Sequence, residues 1–81
     1  MELIVLDDFL SDGILIEKEF RKKIEQINWI DYSNKNVLIK GCSQIPIPIW
    51  AYLIITSKLT NYAKTIYFGE VKGAIQIYKK H

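Results

Sequence analysis

Eighty-one residues make one domain with a core only just adequate, and 49% hydrophobic with 25% charged residues excludes a disordered chain. Eleven basic against nine acidic residues, a net charge of +2, give no footing for nucleic acid or an anionic membrane. A single cysteine excludes an internal disulfide and points to a reducing, cytoplasmic compartment.

The chain opens with "MELIVLDDFL", which carries carboxylates where a signal peptide needs basic residues, so a targeting segment is not expected. "ELIVL" is a short apolar run rich in β-branched residues and predicts a buried strand. Ser11, Asp12 and Gly13 predict a turn, and "ILI" a short extended piece. "EKEFRKKIEQI" predicts a helix, because Ile16, Phe20, Ile24 and Ile27 form one apolar stripe. Glu17–Arg21 and Glu19–Lys23 are i, i+4 pairs in the favourable orientation. The basic residues of this helix read as a solvated face rather than a docking patch.

"NWIDYSNKN" is polar and turn-rich, and "NVLIKGC" predicts a second strand. Its three consecutive apolar residues, Val37, Leu38 and Ile39, suit a strand covered on both faces. A second helix is expected from about Pro48 to Tyr62. Proline is accepted in a first turn, while Pro46 keeps Ile45 extended and delays the start. The apolar run "IPIPIWAYLII" falls short of the ~18–20 residues that span a bilayer, so no membrane segment is expected. "KTIYF" and the alternating "AIQIY" predict two more strands, separated by a turn at Gly69 to Gly73, and "KKH" a basic tail. The order β-α-β-α-β-β predicts a small α/β domain. Its sheet should be mixed and mostly parallel, packed by two helices, with right-handed crossovers and an antiparallel last strand.

Gly41, Cys42, Ser43, Pro46, Pro48, Ala51, Tyr52, Gly69 and Glu70 together carry a resemblance. "GILIEKEFRKKIEQINWIDYSNKNV", "GCSQIPIPIWAYLIITSKLTNYAKTIYFGE" and "IYKK" resemble an uncharacterised bacterial family, domain of unknown function 2480. The resemblance implies an α/β fold and relatives about twice this length with two related halves. It implies no activity. The single copy here implies pairing with itself as a homodimer. Val71 and Lys72 stand where a second cysteine sometimes occurs in the family, so no idea requiring a cysteine pair carries over. The element order is also similar to that of anti-sigma-factor antagonist (STAS) domains, on topology alone.

The candidate site is the turn around Cys42, Ser43 and Gln44 with Trp50 at the start of the second helix. Strand ends that feed helix starts are where open α/β sheets bind ligands, and helix N-termini favour anions and thiolates. A catalytic cysteine needs a base, however, and the only histidine is His81 in the tail. The plainer reading of Cys42 is a buried structural thiol. Ser43 reads as a turn residue, with a phosphorylation switch as the alternative. Pro46 and Pro48 read as a rigid lead into the helix. Trp29, Trp50, Tyr52, Tyr62 and Tyr67 read as core, with a role as partner anchors the alternative. Asp7, Asp8 and Asp12 match no metal loop, and Gly69 and Gly73 match no phosphate loop, so no cofactor is expected.

The sequence therefore predicts a non-enzymatic interaction or regulatory module whose partner is a second copy or another protein. The alternative is a small-molecule-binding or thiol-dependent enzyme subunit that uses the Cys42 turn.

Overall fold

The computed structural model describes residues 1–41 and 45–81. Four strands, β1 (Glu2–Val5), β2 (Asn36–Lys40), β3 (Thr65–Phe68) and β4 (Ile75–Lys79), form one sheet in chain order. β1, β2 and β3 are parallel, and β4 returns antiparallel beside β3. Helices α1 (Glu17–Gln26) and α2 (Ile49–Leu59) make the two crossovers. The predicted α/β class and element order are those of the structure.

Because β1, β2 and β3 lie side by side in chain order, both crossovers step the same way across the sheet. Two right-handed crossovers stepping in one direction place both helices on one face. The core shows this directly. Phe20 and Ile24 of α1 join Ala51, Ile55 and Leu59 of α2 in one cluster with Ile4, Val37, Ile39 and Ile66 of the sheet. Those four strand residues sit at same-face positions of the register. Leu38, between Val37 and Ile39, is as buried as they are yet stands outside that cluster.

β2 is thus not covered by helices on both faces. Leu38 points to the other side, where its register partners Leu3 and Tyr67 flank it. Cross-strand partners on one face of a sheet contact one another, so Leu3 and Tyr67 pack beside Leu38 there.

α1 forms because Phe20 and Ile24 fall one turn apart and face the sheet. Ile16 is its N-cap and stays exposed, so the buried stripe begins one turn later than the sequence suggests. Arg21 Nε meets Glu17 Oε2 at 2.9 Å as the spacing predicts. Glu19 instead lies 4.0 Å from Lys22, because the ammonium of Lys23 turns away and donates to the Leu10 carbonyl at 3.1 Å.

α2 contains mediocre helix formers and is held by packing, with Ala51, Ile55 and Leu59 buried at intervals of four. Pro48 is its N-cap, so the helix starts one residue later than the proline and ends at Leu59 rather than Tyr62.

"LSDGI" closes as a two-residue hairpin tip. Ser11 and Ile14 exchange backbone hydrogen bonds of 2.7 and 3.1 Å around Asp12 and Gly13, both with positive φ. Positive φ at both central residues is the type I′ pattern, and Asp-Gly is one of its preferred pairs. The polar stretch before β2 folds into a 3-10 turn, Trp29–Tyr32, with the Trp29 indole donating to the Ile24 carbonyl at 3.1 Å.

β4 departs from simple alternation. The register against β3 shifts between Ile66 and Tyr67. Tyr78 turns inward against the core, and its hydroxyl donates to the Thr60 carbonyl at 3.2 Å. Ile75 and Ile77 both remain exposed. Tyr78→Phe is expected to cost about 0.5–1.5 kcal/mol, read from the denaturant midpoint, because the Thr60 carbonyl loses a partner. An unchanged midpoint would mean this bond ties nothing down.

Candidate functional site

The molecule has two candidate sites, the connection between β2 and α2 and the outer edge of β1. The first is where parallel strands end. Gly41 closes β2, and Ile45 to Pro48 lead into α2. Cys42, Ser43 and Gln44 lie outside the described residues. Around this turn Lys40 Nζ faces Glu70 Oε2 at 3.5 Å, linking the end of β2 to the turn before β4. The Tyr52 ring stands edge-on to Phe68, centroids 5.0 Å apart.

Gly41 is needed here for space: a methyl group at its Cα would collide with the Tyr52 hydroxyl. The ring's contact with Phe68 restricts its retreat. Gly41→Ala is therefore expected to destabilise by about 1–3 kcal/mol, the usual cost of overpacking. In a double-mutant cycle with Tyr52→Phe, which removes the colliding oxygen, the two effects should fail to add. Additive effects would show that the two residues do not meet.

Trp50, the fourth candidate, is accounted for by packing. Its ring meets Phe20 edge-on, with centroids 5.5 Å apart, and so ties α2 to α1. The predicted core reading holds likewise for Trp29 and Tyr52, both packed against the core cluster, whereas Tyr62 and Tyr67 are half-buried outside it. Among the described residues no three of His, Cys, Asp and Glu gather closely enough to hold a metal ion.

The second place was not legible in the sequence. A groove of about 290 Å³ runs along the outer edge of β1. Leu3, Ile4 and Val5 form one wall, and Phe9, Ile27 and Tyr32 build the apolar remainder. Asp8 and Lys23 also line it, the latter held by Leu10 as described. β1 is an edge strand, so its outer backbone N–H and C=O groups face this groove with no described strand beside them. The signal in the sequence was the apolar run of β1 itself. Burial on both faces and exposure at an edge give the same run, and only the strand order separates them.

Burial raises the Tyr32 pKa above 10.0, and the carboxylates of Glu2 and Asp31 push it further up. The folded state therefore resists ionising this phenol. Its contribution to stability is full below pH 10.0 and is lost as pH rises through the higher folded value. Tyr32→Phe should flatten that alkaline decline in a thermal-melt series. An identical decline in the variant would assign the effect elsewhere.

The fold and these two places define a small open-sheet α/β domain with helices on one face and, among the described residues, no strand beyond either sheet edge. The chain belongs to the family described as "Protein of unknown function (DUF2480)", whose sequence model matches residues 30–80. The match takes in β2, α2, β3 and β4 and leaves β1 and α1 outside it. No curated protein and no solved structure matches the chain. Among the described residues no helix is long and apolar enough to cross a membrane.

Proposed function

We propose that this protein works by association, as a non-enzymatic interaction or regulatory module that binds a second copy of itself in a reducing compartment. The observation that carries the reading is the one-sided sheet. Both helices pack on one face, which leaves the opposite face and two strand edges without a described element over them. Apolar side chains accompany these surfaces: Leu3 on β1, and Ile75 and Ile77 on β4, are 48%, 64% and 48% exposed. On α2, Ile49 and Leu53 stand exposed one turn apart. A small monomer gains nothing by keeping so many large apolar groups in water, whereas an interface core uses them.

The test is the native mass across a dilution series, by light scattering after gel filtration. Association that persists into the low-micromolar range is expected. A clean monomer throughout would overturn self-association.

A second reading takes the turn between β2 and α2 as a ligand site, since it lies at the carboxyl ends of parallel strands. It predicts that the Cys42 thiol reacts well below its ordinary pKa of about 8.5. Ordinary thiol reactivity, with Cys42→Ala indistinguishable from the parent in function, would remove it.

A further inference from the structure

The charges of this chain are unevenly divided along its length. Residues 1–34 hold eight carboxylates and four cationic side chains, a net charge of −4; residues 35–81 hold one carboxylate and seven cationic side chains, a net charge of +6. Because the sheet order is the chain order, the division becomes spatial. β1 and the turn that follows it carry Glu2, Asp7 and Asp8. β4 and its flanks carry Lys72, Lys79 and Lys80. Of the charges of opposite sign nearby, Lys35 lines a groove with Glu2 at the start of β1, and two others are engaged within the chain. Lys23 is bonded to Leu10, and Glu70 is paired with Lys40.

We infer that the partner is a second copy docked head to tail, with the β4 edge of one copy added to the β1 edge of the next. This rests on the self-association reading above and names its surface. Three features fit together. Each edge offers unpaired backbone donors and acceptors, which is what strand addition requires. β4 brings the exposed Ile75 and Ile77 to an edge whose neighbouring groove is lined by Ile4, Phe9, Ile27 and Tyr32. The charges then choose the pairing.

Since β4 runs opposite to β1, a sheet continued with the same face upward pairs them antiparallel. Lys79 and Lys80 of one copy then approach Glu2 of the other, and Lys72 approaches Asp7 and Asp8. Both ends attract. The two-fold alternatives do not share this property. Antiparallel β1 against β1 sets Glu2 against Asp7 and Asp8, and β4 against β4 sets Lys72 against Lys79 and Lys80. Like charges at both ends disfavour each of these. The bulge and lysines of β4 are thus protection against its own kind, and they leave the acidic edge as the compatible partner.

A head-to-tail contact is heterologous, so each added copy presents a fresh edge. This separates it sharply from any two-fold dimer. Two variants test it, each altering exposed side chains only. Ile77→Asn removes an apolar contact from the basic edge without changing its charge; the pair Asp7→Lys and Asp8→Lys reverses the acidic edge. Circular dichroism establishes that both fold. Each variant alone should self-associate about tenfold or more weakly than the parent. An equimolar mixture should form a one-to-one heterodimer and stop there, because one copy keeps its β1 edge and the other its β4 edge. Added salt should weaken the parent's association.

A parent that associates while either variant does so equally well would overturn the head-to-tail contact and leave self-association standing. A mixture that forms no heterodimer would do the same. A parent that is monomeric at every concentration would overturn both.

Discussion

Phe20→Ala is expected to lose about 3–5 kcal/mol of folding stability, the usual cost of deleting a buried aromatic ring. Phe20 has no exposed surface and lies at the junction of both helices with the sheet. Its ring meets Phe9 at 5.4 Å and Trp50 at 5.5 Å, both edge-on. Removing it opens a cavity that neither neighbour can fill without breaking its own contact. A chain of this size has a total stability of about 4–12 kcal/mol. The variant should therefore be partly unfolded at room temperature, or show a denaturant midpoint near half the parent's. Ile16→Ala on the same helix, whose side chain is exposed, should change stability by less than about 0.5 kcal/mol. Similar losses in the two variants would mean that α1 is not seated on the core as described.

Leu38 and Ile39 supply the second large contrast. They are neighbours on β2 and almost equally buried, at 1% and 0% exposure. Ile39→Ala should cost about 2–5 kcal/mol, because its cavity lies between sheet and helices. Leu38→Ala should cost less, since the gap opens on the uncovered face and Leu3 and Tyr67 can close over it. Lysine sharpens the comparison. At position 38 the stem can lie along the sheet while the ammonium reaches water. At position 39 the charge would be trapped under the helices, and the protein should not fold. Paired urea titrations of the four variants measure this. Equal losses at 38 and 39 would mean that both faces of β2 are covered.

These predictions show how far local pattern reached. The helices were legible because Phe20 and Ile24, and then Ala51, Ile55 and Leu59, repeat with the helical period. The proline pair placed the start of α2 to within a residue. The strands were legible as β-branched runs bounded by glycine and asparagine. Tyr78 was not, since the bulge that turns it inward depends on the register with β3 rather than on the alternation of β4 itself. Nor was the fate of Lys23, whose predicted partner Glu19 lost to a backbone carbonyl thirteen residues away.

Of the candidate site, the sequence placed the connection between β2 and α2, with Pro46 and Pro48 leading into the helix; Cys42, Ser43 and Gln44 lie outside the described residues. It did not identify Trp50 as the wedge between the helices, because that needs Phe20 brought across from another segment. The edge groove was hidden for the same reason, since its walls come from four separate stretches of chain.

By itself the sequence determined the kinds and order of the elements, because hydrophobic period and turn chemistry act over a few residues. It also carried the resemblance to the family, whose sequence model matches residues 30–80. Only the tertiary structure decided that both helices share one face and that β1 and β4 are edges. Only it turned a charge gradient along the chain into an acidic side and a basic side. The reason is that strand order is set by which segments pair over long range, and a run of apolar residues reads the same at the centre of a sheet as at its rim.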